Sequence, residues 1–149
     1  MPGAGATMTS SMRGKCRRAI LRILRQRAGL RHVLAGNFNM VHPMDVPGSG
    51  PRPEDHVADL ALDARPVIPL LLSARYVDCS RHLYPQEPGY TIQALSPFRL
   101  CLDYLFACAG LAPHLVESSV VSYAQAFIAS HHLPIRADFQ EHPRQIPGG

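Results

Sequence analysis

Acidic residues are missing from the first part of the chain, where none precedes Asp45. The same stretch is rich in basic residues, which are Arg13, Lys15, Arg17, Arg18, Arg22, Arg25, Arg27 and Arg31. The formal net charge of +4 is therefore unevenly distributed. A basic segment of this kind attracts phosphate-rich partners or an anionic membrane surface, and the alternative is a solvated helix face with no partner.

The sequence also has no C-x-x-C pair, no apolar run of about 18 residues and no secretory signal pattern. The four cysteines are widely spaced, at Cys16, Cys79, Cys101 and Cys108. The lack of a C-x-x-C pair and of a secretory signal favours a reducing interior over export, so we expect a cytoplasmic protein. The alternative is mitochondrial targeting, because the arginine-rich, acid-free N-terminus has the composition of a transit peptide.

The composition is typical of one globular domain. The chain has 149 residues, of which 46% are apolar and 17% charged, and that balance supports a modest core. Fourteen prolines and eleven glycines indicate short elements joined by frequent turns. We expect a disordered N-terminus at 1–14, a domain at 15–141 and a flexible tail at 142–149.

Hydrophobic periodicity predicts the elements of this domain. An amphipathic helix is expected at 15–27, a buried strand at 32–36, and helices at 54–64 and 66–73. Four β runs follow, at 90–94, 100–107, 115–123 and 133–139. The predicted fold class is α/β (α+β), a partial layered β-sandwich flanked by helices. Few strands are predicted, so a sheet edge left uncovered could pair with another chain.

Four stretches resemble the C-terminal half of the endonuclease/exonuclease/phosphatase superfamily. L-A-G-N-F-N at 34–39 is similar to the family's G-D-F-N, and G-Y-T-I at 89–92 is similar to G-Y-T-W. L-D-Y-L-F at 102–106 is similar to R-I-D-Y-I-F, and S-H-H-L-P-I at 130–135 is similar to S-D-H-L-P-I. The resemblance implies that family's fold and cleavage of phosphate esters with a divalent metal, Mg²⁺ or Mn²⁺.

The resemblance also assigns roles to individual residues. His132 matches the catalytic histidine that contacts the phosphate, and Asp103 matches the carboxylate that orients it. Asn39 matches an asparagine that donates a hydrogen bond to the phosphoryl group, and Arg99 is a further candidate for binding phosphate. The alternatives are a turn-forming role for Asn39, a local hydrogen bond for Asp103 and no function for His132.

Two positions depart from the family pattern. Asn37 stands where the family has the aspartate that activates the attacking water, and a neutral amide cannot accept a proton at accessible pH. His131 stands where the family has an aspartate that binds the metal, and imidazole is a poor ligand for Mg²⁺ but a good one for zinc. A zinc site built from His131, His132 and His114 is therefore a further alternative.

Three functions follow from these observations. The favoured one is a metal-dependent phosphoester hydrolase-like protein, weakly active or inactive as an isolated chain, whose partner is a phosphoester and could be nucleic acid. The second is a non-catalytic fragment. The third is a basic module that binds nucleic acid or another phosphate-rich partner through the arginines of the first helix.

Overall fold

The computed structural model of the chain describes residues 10–45, 67–92 and 100–142. The helix predicted at 54–64 and the candidate residue Arg99 lie outside this part. The chain divides into two compact units, residues 1–30 and 31–149, and the domain predicted for 15–141 spans that division. No helix in the described part combines the length and the apolarity needed to cross a membrane.

Helix α1, at Ser10–Gln26, lies in the first unit. It begins five residues before the predicted start at residue 15 and ends one residue before the predicted end. Its last turn carries Arg25, where a cation interacts favourably with the helix dipole. Arg18, Arg22 and Arg25 are exposed, and their spacing places them on one side of the helix. After the helix, Gly29 adopts a positive φ of 86°, which is the usual way for a helix to stop.

The second unit holds a three-stranded and a two-stranded antiparallel sheet. The first sheet has the order β1-β3-β2, with β1 at Val33–Asn37, β2 at Val77–Asp78 and β3 at Asp103–Ala107. The second sheet pairs β4, Leu115–Val120, with β5, Ile135–Phe139. This mixed arrangement of helices and antiparallel sheets agrees with the predicted fold class.

In the described residues, three short α-helices lie between these strands: α2 at Val67–Ser73, α3 at Cys79–Leu83 and α4 at Ala124–Ala129. Two 3-10 helices lie at Pro43–Asp45 and Ala112–His114. The predicted helix at 66–73 is confirmed. Helices α3 and α4 and strand β2 were not predicted from the sequence. The run at 100–107 becomes a strand only from residue 103, and the run at 115–123 ends as a strand at residue 120. Of the run at 90–94, the described residues contribute one isolated bridge position, Ile92.

A hydrophobic cluster joins the two sheets to α3. Its fully or almost fully buried members are Cys79 of α3, Ala107 of β3 and Leu115 of β4. Partly buried neighbours from the same elements and from β5 pack against it, among them Leu105 and Phe139. Because side chains alternate along a strand, Asp103 lies on the same face of β3 as Leu105 and Ala107. Asp103 is thereby placed at the end of β3 on the face that meets the second sheet.

The opposite face of β3 carries an aromatic cluster. Phe106 is fully buried and Tyr104 is 3% exposed. Their rings stack with centroids 5.6 Å apart, and the ring of Phe38 meets both edge-on at 5.7 and 5.5 Å. Such pairs contribute about 0.5–1.5 kcal/mol each beyond the area they bury. This cluster fixes the segment that follows β1 against the sheet.

The thiol of Cys79 makes the stability of the fold depend on pH. Burial, with a smaller contribution from the charge of Asp78, raises the pKa of its thiol from 9.0 to about 11, although backbone hydrogen bonds act in the other direction. The unfolded thiol therefore ionises at a lower pH than the folded one, and the stability linked to this group is present below pH 9 and lost as the pH rises to 11.

We accordingly expect the free energy of unfolding to fall between pH 9 and pH 11 more steeply in the parent chain than in Cys79→Ala. Urea denaturation of both proteins at pH 8 and pH 11 measures the difference. An equal loss of stability in the two proteins would show that this thiol does not contribute.

Candidate active site

The site is centred on an imidazole–carboxylate pair. His132 Nδ1 lies 2.7 Å from Asp103 Oδ2. The side chain of His132 is 36% exposed and that of Asp103 is 15% exposed. An ionised carboxylate only accepts hydrogen bonds, so Nδ1 carries the proton and donates it to Asp103. The other ring nitrogen, Nε2, is the one available to a ligand. The predicted pairing of Asp103 with His132 is therefore observed in the structure.

The main chain brings these two residues together from distant parts of the sequence. Asp103 begins β3, and His132 lies in the connection between α4 and β5. Ile92 forms antiparallel bridges to both Leu100 and His132. The N–H of His132 also donates to Ser130 Oγ at 3.0 Å. The histidine is thus held by backbone pairing rather than by its side chain alone.

Asn37 lies next to this pair because of the register of the first sheet. Asn37 of β1 is the direct partner of Asp103 of β3, and residues directly opposite in an antiparallel pair project from the same face. Asn37 is exposed at the end of its strand. The register therefore places Asn37 opposite Asp103, beside the pair that Asp103 forms with His132.

The asparagine pair forms its own local turn. Asn37 Oδ1 accepts a hydrogen bond from the N–H of Asn39 at 2.7 Å. Only the amide oxygen can accept from an N–H, so the NH₂ group of Asn37 remains as a donor. Asn39 has a φ of 49°, a left-handed conformation that asparagine tolerates better than most residues. The turn-forming role considered for Asn39 is thus seen in its backbone, and its side chain is exposed.

Tyr104 connects this turn to β3. Its hydroxyl lies 3.0 Å from the carbonyl oxygen of Met40 and 2.8 Å from that of Cys101. The N–H of Phe38 donates to Leu102 O at 2.9 Å. These bonds hold the turn that carries Asn37 and Asn39 against the strand that carries Asp103.

The described side chains around the pair do not resemble the ligands of a divalent metal ion. His131 is exposed, and His114 is buried, with Nδ1 2.9 Å from the carbonyl oxygen of Gln140 and Nε2 3.5 Å from Arg31 Nη1. In the described part of the chain, no three or more His, Cys, Asp or Glu side chains are grouped to hold a metal ion. The zinc grouping of His114, His131 and His132 is therefore not formed. Among the described residues of the site, Asn37 and His131 are an amide and an imidazole where the resemblance implies carboxylates, the ligands that Mg²⁺ prefers.

A cavity behind Asp103 does not serve as the ligand site. It has a volume of about 20 Å³ and lies between the sheets, against Asp78, Asp103 and Ser118. That space suits roughly one water molecule. A ligand larger than a water molecule therefore does not fit into this cavity.

Thr91 is a residue of the site that sequence reasoning missed. It is fully buried, and its hydroxyl oxygen lies 3.1 Å from the N–H of Leu102 and 3.3 Å from that of Asp103. The available signal was a small hydroxyl residue, Thr91, within the matched stretch G-Y-T-I at 89–92. That signal is weak, because threonine is also common in ordinary strands.

Comparison with solved structures identifies the fold. The chain is similar to an AP endonuclease from Archaeoglobus fulgidus, with a TM-score of 0.62 and 21% sequence identity. The match covers 91% of this chain and 57% of the other, so the chain spans little more than half the length of that enzyme. At this identity the likeness shows the fold, which is the endonuclease/exonuclease/phosphatase fold. No protein-family model matches the sequence, and no curated protein matches it.

Proposed function

We propose that this chain is a phosphoester hydrolase-like domain that binds phosphoesters and turns them over slowly or not at all on its own. The observation that carries the proposal is the 2.7 Å contact between His132 Nδ1 and Asp103 Oδ2, with Asn37 directly across the sheet from Asp103. The fold shared with an AP endonuclease supports a nuclease-like hydrolase class.

Each residue of the site has a role in holding a phosphoryl group. Asp103 fixes the ring of His132 so that Nε2 faces the ligand, and a protonated ring neutralises charge on a phosphoryl oxygen. The NH₂ groups of Asn37 and Asn39 add neutral donors beside it. Hydrogen bonds to a charged acceptor are roughly twice as strong as neutral ones, so the site favours an anionic phosphate over an uncharged ester.

The same residues explain why turnover is slow. Hydrolysis requires a base to take the proton of the attacking water, and Asn37 occupies the position where the resemblance places that base. An amide cannot take a proton at accessible pH. A well-placed general base typically contributes about 10²–10⁴-fold to the rate. Loss of that contribution leaves a site that binds its ligand better than it cleaves it.

His132→Ala should weaken phosphoester binding by the parent chain and remove whatever hydrolysis it shows. Binding and turnover of bis(4-nitrophenyl) phosphate are measured with Mg²⁺ or Mn²⁺ present, and a DNA duplex tests nucleic acid as the substrate. We expect a loss of about tenfold or more in affinity, because a charge-assisted hydrogen bond contributes about 1.5–3 kcal/mol.

His82→Ala is the matched control, since His82 is an exposed histidine on α3. It should leave binding and turnover unchanged. The site assignment fails if His132→Ala behaves like His82→Ala. Rapid metal-dependent turnover by the parent chain would contradict the slow activity proposed here.

A further inference from the structure

Thr91 is the most deeply buried polar group next to the imidazole–carboxylate pair, with no exposed surface. Its hydroxyl oxygen accepts hydrogen bonds from two consecutive backbone amides, Leu102 N–H at 3.1 Å and Asp103 N–H at 3.3 Å. The second of these amides belongs to the residue that carries the carboxylate. Any movement of this hydroxyl therefore acts directly on the start of β3.

The backbone of Thr91 reaches the histidine side of the pair as well. Its carbonyl oxygen accepts from Leu133 N–H at 2.8 Å, one residue after His132. Its own N–H donates to Leu100 O at 2.9 Å. Thr91 thus contacts the chain segment of Asp103 with its side chain and the segment of His132 with its main chain.

From these contacts we infer that Thr91 is the positioning residue that sets the distance between Asp103 and His132. This inference rests on the proposed function, because it assigns Thr91 a role in the same site. The hydroxyl is needed as an acceptor for one buried and one partly buried amide, which no apolar side chain of the same shape can satisfy. Without it, the start of β3 has to shift or admit water, and the carboxylate of Asp103 moves away from the ring.

Thr91→Val tests the inference, because valine keeps the shape of threonine and removes the acceptor. The direct measurement is the proton NMR signal of the His132 Nδ1–H, which a hydrogen bond to a carboxylate shifts downfield and protects from exchange. His132→Ala identifies the signal by removing the ring that carries this proton. We expect exchange of this proton to become about tenfold faster or more in Thr91→Val. Thr91→Ser restores the acceptor and should stay near the parent rate.

Leu71→Ala is the control for a general loosening of the core, since Leu71 is buried on α2, outside the contacts of Thr91 described above. It should leave the His132 signal unchanged, whereas a general loosening of the core would affect it too. If Thr91→Val does not fold, Thr91→Cys replaces it with the same expectation, because a thiol is only a weak acceptor. The inference is overturned if Thr91→Val, or Thr91→Cys in its place, keeps the exchange rate of the parent chain. It is also overturned if Thr91→Ser loses the His132 signal to the same extent as Thr91→Val.

Binding of inorganic phosphate separates this inference from the proposed function. Phosphate is titrated into the parent chain, Thr91→Val and His132→Ala. If His132→Ala binds phosphate as well as the parent does, the proposed function fails, while the NMR signal still decides the role of Thr91. If the parent binds phosphate through His132 and Thr91→Val leaves both affinity and signal unchanged, the role of Thr91 alone is refuted.

Discussion

Replacing Asn37 and His131 together by aspartate should raise the rate of phosphodiester hydrolysis by about 10²–10⁴-fold, the usual contribution of a general base. The local backbone is suited to the change at Asn37. An aspartate oxygen can accept the bond from Asn39 N–H that the amide oxygen accepts now at 2.7 Å, because aspartate forms the same turn. Its second oxygen would remain as the base beside Asp103 and His132.

Two further variants make this experiment specific. Adding His132→Ala to the double variant should abolish the gain, since the phosphate would lose its charged partner. Gln140→Asp adds a carboxylate at an exposed position after β5 and should produce no gain. A titration with Mg²⁺ should show tighter binding by the double variant than by the parent, because carboxylates are the ligands that this ion prefers. No gain in rate would favour the non-catalytic fragment over a hydrolase-like domain.

Phe106→Ala should lower the free energy of unfolding by about 3–5 kcal/mol, the range found when a buried phenylalanine is truncated. Phe106 has no exposed surface and contacts the rings of Tyr104 and Phe38. A small domain has only about 5–15 kcal/mol of stability in total, so a large share would be lost. The turn that carries Asn37 and Asn39 would also lose an aromatic contact through Phe38.

Chemical denaturation of the parent and the variant measures this loss. Ile128→Ala removes an apolar side chain that is 87% exposed on α4. It should change the stability by no more than about 0.5 kcal/mol. If Phe106→Ala lowers the free energy of unfolding by less than about 1 kcal/mol, the aromatic cluster does not form as described.

The fold class could be predicted because four motifs occur in order with strand-like patterns between them. Helices α3 and α4 were missed for a physical reason. Each has fewer residues than the 12 or so over which periodicity separates a helix from a short apolar strand. Asp78 offered a local signal, since its carboxylate accepts from the N–H groups of Ser80 and Arg81 as the cap of α3. The two-residue strand β2 is too short for any pattern to indicate it.

The sequence by itself determined which chemical groups are present: a histidine and an aspartate in matching motifs, and an amide and a second imidazole where carboxylates are expected. Those identities alone set the limits on proton transfer and metal binding, because both processes depend on the chemistry of the side chains. Only the tertiary structure decided that Asp103 and His132 meet at 2.7 Å and that Thr91 lies between their chain segments. Such distances result from antiparallel pairing between segments far apart in the chain, and no local pattern records which segments will pair.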